Sequence, residues 1–168
     1  AGLGRALIAA QESPARAVVV TGTRRSFSAG LALPEIVNFD RAQLRDFMQG
    51  FEQVMTQFLI APMPVVAAIN GFAIAGGAVL ALMADYRIMV DSDGLIGLNE
   101  AQLGIGLPAV VIEPLRHRVP ASAWAPVALA GELLTPQDAQ SIGLVDQLVP
   151  QADLLTVALG RAAALAHA

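Results

Sequence analysis

Few residues in this chain combine a reactive side chain with surroundings that would tune it, and Glu100 leads them. Ile96-Gly97-Leu98-Asn99 precedes it and Ala101-Gln102-Leu103-Gly104 follows. A carboxyl in mostly apolar company holds its proton to higher pH, toward the range where it can take and return a proton near neutrality. An exposed loop acid has the same spacing, so both readings stay open on the residues alone. Glu113, within Val111-Ile112-Glu113-Pro114-Leu115, is the other acid in apolar surroundings.

Two glycine-containing turns each follow an apolar, β-branched run: Phe27-Ser28-Ala29-Gly30-Leu31, and Asn70-Gly71-Phe72-Ala73-Ile74-Ala75-Gly76-Gly77. Small residues let backbone N–H groups approach a ligand closely. The second turn also leads into a helix, whose first N–H groups and dipole favour negative charge. A tight corner has the same composition. Other sites are excluded more firmly. Gly2-Leu3-Gly4 and Gly104-Ile105-Gly106 lack the strand and third glycine of a dinucleotide fingerprint. With no Lys there is no phosphate-loop motif, with no Cys there is no thiolate or disulfide chemistry, and no GxSxG serine motif occurs. His117 and His167 are far apart and have no ligand-like spacing to carboxylates, so no metal site is expected.

The elements that must position these residues alternate between strand and helix. Ala1 to Ala10 reads as helix, and Ala15 to Thr23 as a buried strand ending in Thr-Gly. A polar loop with Arg24 and Arg25 follows. From Arg41 to Ile60, apolar residues at Leu44, Phe47, Met48, Phe51, Val54, Met55, Phe58 and Leu59 trace one helix face, with Asp40 as N-cap. A strand from Val65 predicts the turn at Asn70-Gly71, then a helix from Gly76 to Met83. Short strands are expected at Asp85–Asp91, Leu95–Leu98 and Leu144–Val149. Ser122–Ala130 reads as helical. Another helix starts at Thr135, with Pro136 first and Gly143 past its end, and Ala152–Ala166 closes the chain. The class is α/β, in a single domain over residues 1–168.

Composition narrows the function classes. The 168 residues are 55% hydrophobic and 14% charged, so apolar surface is expected to be covered by other subunits. A net charge of −4 argues against nucleic-acid binding. Residues 64–84 form an apolar run of spanning length, about 20 residues. Its β-branched first part, its Asn-Gly turn and its Ala-Gly-Gly centre argue for strand, turn and helix instead of a membrane span. An all-arginine basic set and the lack of a signal peptide make a cytoplasmic protein the expectation.

Four blocks in order resemble the enoyl-CoA hydratase/isomerase (crotonase) family: Phe27 to Leu31, Pro64 to Gly71, Ala75-Gly76-Gly77 through Asp85, and Gly131 to Pro150. The resemblance implies a spiral of ββα units, assembled as a trimer or hexamer, and an acyl-CoA thioester substrate with no cofactor beyond the coenzyme A it carries. It implies an oxyanion hole formed by the N–H groups of Leu31 and Gly76, donors worth roughly 3–4 kcal/mol each on a developing enolate. Ser28, Ala29, Gly30, Phe72, Gly77, Val79 and Leu107 fall at positions that would line the substrate.

Hydratases of the family carry two glutamates. Here the first position is Val79 and the second Glu100. Adding water uses both acids, whereas shifting a double bond needs one base that gives its proton back. Ile96 to Ile105 and Asp85 to Ile88 resemble the mitochondrial type of Δ3,Δ2-enoyl-CoA isomerase, with Glu100 as the single shuttle. Phe72, Val79, Leu107 and Val110 would exclude water. Some features depart from the pattern. Ala32 stands where an acid is usual, and Arg24 and Arg25 are the nearby cations for the CoA phosphates unless they are merely solvated. Family segments are expected to be missing at both ends. Another one-base reaction on a CoA thioester, with Glu113 contributing, and a non-catalytic scaffold are the alternatives.

Overall fold

The computed structural model describes residues 2–167; the expected helix at Ala1 lies outside them, and α1 covers Gly2–Gln11. The chain then repeats one passage three times, two strands followed by helix. β1 (Val18–Thr21) and β2 (Ser26–Ser28) lead to a short α2 (Leu33–Ile36) and a long α3 (Arg41–Leu59). β3 (Val65–Ile69) and β4 (Phe72–Ile74) lead to α4 (Gly76–Leu82). β5 (Tyr86–Val90) and β6 (Ile96–Gly97) lead through a 3-10 turn, Asn99–Leu103, to α5 (Ala109–Arg118). A 3-10 turn (Ala121–Ala123), a π-helical turn (Ala125–Leu129), α6 (Pro136–Ser141), β7 (Gln147–Val149) and α7 (Leu154–Leu165) follow.

The first strand of each unit joins a parallel sheet in the order β1-β3-β5-β7, and the second joins a parallel sheet in the order β2-β4-β6. This is the spiral of ββα units expected from the resemblance. β3 lies inside the larger sheet and each of its residues is at most 1% exposed. Val65, Ala67 and Ile69 face the core under α3 and α4, while Val66 and Ala68 face Leu154, Ala158 and Ala162 of α7. Cover on both faces explains why this strand reads as one continuous apolar run. The 64–84 run is divided among β3, β4 and α4. Among the described residues no helix is long and apolar enough to cross a membrane.

Several elements differ from their sequence expectation. β2 and β4 were expected as loop and turn. They are three residues each, too short to show a period, and only their place in the small sheet makes them strands. α5 was not expected, because Pro114 sits inside it. The 122–130 stretch is not one regular helix, and Pro126 falls within its π-helical turn. α3 begins as expected, with the Asp40 carboxylate accepting from Ala42 and Gln43 N–H and the Gln43 side chain accepting from Asp40 N–H. Only its second half is seated, through Met55 and Phe58; Leu44 and Leu59 stay exposed. The flank of the helix from Phe47 to Val54 walls a cleft.

One charged side chain lies in the interior. Arg87 of β5 is fully buried. Its guanidinium donates to Ala84 O at 2.9 Å and forms an ion pair with Asp146. The Asp146 carboxylate also accepts the Arg87 N–H at 2.8 Å, and Asp146 N–H donates to Arg87 O at 3.0 Å. Burial lowers the Arg87 pKa to about 10, against the opposing pull of Asp146. The group therefore stays charged at neutral pH and depends on its partner. Asp146→Ala should destabilise the fold by about 3 kcal/mol, the cost of stranding a buried charge. Arg87→Met, which removes that charge, should cost less. Urea denaturation of the two variants against wild type measures both.

Candidate active site

All three loops that leave the small sheet at its carboxyl edge carry candidate residues. Ser28 to Leu31 follow β2, Ala75 and Gly76 follow β4, and Leu98 to Glu100 follow β6. The strands are parallel with β4 in the middle, paired Ser28↔Ala73 and Ile74↔Gly97. At a spacing near 5 Å per strand, the flanking loops stand about 10 Å apart across β4. This edge is where open parallel sheets place their ligands.

Two of these loops are pressed together, backbone against backbone. Gly30 adopts φ +89°, and a Cβ there would lie 3.0 Å from Ile74 O and 3.1 Å from Gly76 N. A Cβ on Gly77 would lie 2.2 Å from Ser28 O, so no side chain fits between α4 and the β2 loop. Between them, Ala75 is held at φ 50° and ψ −122°, a conformation costing on the order of 1–3 kcal/mol for a residue with a side chain. Its N–H donates to Gly97 O at 2.9 Å, which ties the strained corner to β6. Beside it, the N–H groups of Leu31 and Gly76 have no protein acceptor among the described residues. For Gly76, the first residue of α4, that follows from its position in the helix.

These groups open into a cleft of about 550 Å³. Ser28, Gly30, Leu31, Gly76 and Leu80 form one wall, and Phe47, Gly50, Phe51 and Val54 of α3 form the other. Of the residues expected to line a substrate, the structure therefore gathers Ser28 and Gly30 with Leu31 and Gly76. Ala29 is exposed on the corner, and Gly77 is buried beneath it. Phe72, Val79 and Leu107 do not line the cleft. Phe72 starts β4 and so lies at the opposite end of the strand from the site. Val79 is 1% exposed in the core; Leu80, four residues after Gly76 and so on the same helix face, takes the cleft position. Leu107 packs against the main core.

Glu100 stands one strand over, on the 3-10 turn after β6, and is not among the cleft walls. It is partly buried, and its Oε2 has no hydrogen-bond partner. Burial pushes its carboxyl above the ordinary carboxylate range, against the opposing effect of its own backbone N–H. Glu113, by contrast, is exposed beside Arg116 at 3.4 Å. Both histidines are exposed. Arg25 is exposed and paired with Asp93 at 2.9 Å. Two contributors escaped the sequence reading: Leu80 and the strained backbone of Ala75. A positive φ at an alanine leaves no sequence signal, whereas the i, i+4 relation to Gly76 could have indicated Leu80.

Comparison with known proteins identifies the family and the fold. The profile of the enoyl-CoA hydratase/isomerase family matches residues 1–168. The chain is 35% identical over 146 residues to the human mitochondrial enoyl-CoA delta isomerase 1, covering 86% of this chain and 48% of that protein. It thus spans about half the length of that relative. The crystal structure of the human mitochondrial delta3-delta2-enoyl-CoA isomerase superposes with a TM-score of 0.86 at 32% identity, covering 98% of this chain and 65% of that one. An enoyl-CoA hydratase from Mycobacterium ulcerans superposes with a TM-score of 0.91 at 28% identity, covering 98% and 72%.

The buried carboxyl has a consequence for stability. An acid whose folded pKa lies above its unfolded value loses folding stability on ionising. That loss is absent below the unfolded range and complete above the folded value. Glu100→Gln should therefore be more stable than wild type at pH 7, and the difference should fade as the pH drops to about 4. Urea midpoints at the two pH values test this, and an equal difference at both would contradict it.

Proposed function

The chain belongs to the enoyl-CoA hydratase/isomerase family, and from that premise we propose that it moves the double bond of a 3-enoyl-CoA to the 2-position. The observation that carries the reading is one desolvated carboxylate, Glu100, on the loop one strand over from a pair of N–H groups without a protein acceptor, with the family's other acid position occupied by the buried Val79. Hydration would need a second group to hold water, and Val79 cannot do so.

In the proposed reaction the thioester oxygen accepts from Leu31 and Gly76 N–H. These donors are fixed before substrate arrives, because Gly30, Ala75 and Gly77 leave their backbone no other path. Charge on that oxygen acidifies C2–H. Glu100 takes the C2 proton, the electron pair spreads into a dienolate, and the same carboxyl delivers the proton to C4. A raised carboxyl pKa favours this return step. The acyl chain would follow the apolar wall of α3, through Phe47, Phe51 and Val54. No cofactor beyond the substrate's coenzyme A enters the scheme. A cytoplasmic location and assembly as a trimer or hexamer belong to the same proposal. A one-base reaction on another CoA thioester is less well supported, since Glu113 is exposed and ion-paired.

Conversion of a 3-enoyl-CoA to its 2-enoyl isomer tests the reading. Wild type should turn over, and Glu100→Gln should lose at least about a hundredfold in kcat, the scale of a lost general base. Equal turnover in the two would remove Glu100 from the mechanism. Acyl-CoA binding without isomerisation in either would favour the other one-base reactions.

A further inference from the structure

The Glu100 Oε2 has no hydrogen-bond partner, and the one group that acts on the carboxyl besides burial is its own backbone N–H, which belongs to the turn. Its direction must come from the turn that carries it. That turn, Asn99–Leu103, is a 3-10 segment, and such short segments have poor hydrogen-bond geometry of their own. It is held from outside by residues 130–134. Ile96 and Leu134 exchange both backbone hydrogen bonds, at 3.0 and 2.9 Å. Gly97 lies so close to Glu132 O that a Cβ would come within 2.5 Å of it. Gly131, at φ +66°, packs on the turn itself, with its Cβ position 3.1 Å from Asn99 Cα and 3.2 Å from Gln102 Cγ.

The side-chain tie across this contact is made by Gln102. Its Nε2 donates to Ala130 O at 3.2 Å and to Gly131 O at 2.9 Å. Two successive carbonyls at the end of the π-helical turn are thus bound by one amide, two residues beyond Glu100. We infer that Gln102 is a positioning residue for Glu100, latching the turn that carries the carboxyl to residues 130–131 so that the carboxyl keeps one direction. The inference rests on the reading of Glu100 as the base. Glu132, within residues 130–134, is exposed, and no charged neighbour contributes to the state of the Glu100 carboxyl, which burial and its own N–H set between them. Loosening the latch therefore acts on that carboxyl through hydration and direction alone.

Gln102→Met removes the donors and keeps most of the side-chain volume; Gln102→Ala is the second variant. Gln102 is exposed, so neither substitution opens a cavity. Gln137→Met is the control, since it removes a similar surface bond, Gln137 Nε2 to Asp91 O at 3.3 Å, away from the turn. Two readouts are needed: a carbon-13 titration of the Glu100 carboxyl, and kcat and KM for 3-enoyl-CoA. Both Gln102 variants should bring the titration down toward the ordinary carboxylate range. They should also lower kcat by about tenfold to a hundredfold, the scale of a slightly misplaced group, with KM unchanged. The control should match wild type in both. A Gln102 variant with wild-type titration and kcat overturns the inference. If Glu100→Gln loses activity while the Gln102 variants keep theirs, only the latch is overturned. If Glu100→Gln keeps activity, the base reading falls and the latch falls with it.

Discussion

The site depends on a contact in which there is no room for a side chain. The Ser28 carbonyl lies where a Cβ on residue 77 would be, and Gly30 lies against the backbone of Ile74 and Gly76. Because the backbones of the loop after β2 and of the first turn of α4 are pressed together at Gly30 and Gly77, the Leu31 and Gly76 N–H groups are held side by side. In the proposed reaction, donors fixed in this way cost no reorganisation when charge develops between them. The strain at Ala75 is sustained by the same packing, with the Gly97 carbonyl holding its N–H from the far side. The corner and the cleft wall beside it thus follow from one close approach.

The spiral architecture makes that approach possible. Each unit leaves the larger sheet by its first strand and enters the small sheet by its second. Three sequence-distant loops therefore emerge side by side on one edge. The larger sheet is the rigid support. β3 is buried on both faces, and Arg87 of β5 is locked to Asp146 at the start of β7. The two buried or partly buried ionisable groups with shifted titration show opposite designs. Arg87 is deeply buried but paired, so it stays charged and joins strands. Glu100 is less buried but has no charged partner, so its proton is held more firmly and can be exchanged.

The division of labour within α3 and α4 follows from their place on this scaffold. α3 rests on the core through Met55 and Phe58, while Phe47, Phe51 and Val54 turn to the cleft. That explains why a single amphipathic pattern over Arg41 to Ile60 has two destinations. In α4 nearly every residue is buried, so hydrophobicity alone does not distinguish core from cleft. Helix phase does: Leu80 returns to the face of Gly76, and Val79 turns into the core.

The residues alone determined the α/β class, the continuous run of β3, the Asp40 cap and the Pro136 start of α6, and they marked Glu100 as a carboxyl in apolar company without deciding between a buried and an exposed acid. Each is a local property, set by periodicity, by capping chemistry or by the company a side chain keeps within a few positions. The tertiary structure decided the rest. β2 and β4 are strands only because neighbours pair with them. Glu100 is desolvated by its tertiary surroundings, and the turn that carries it is tied by Gln102 to carbonyls nearly thirty positions away. Such facts depend on which distant backbones meet. That is settled by sheet register and by the absence of side chains at the points of contact, neither of which a single stretch of sequence displays.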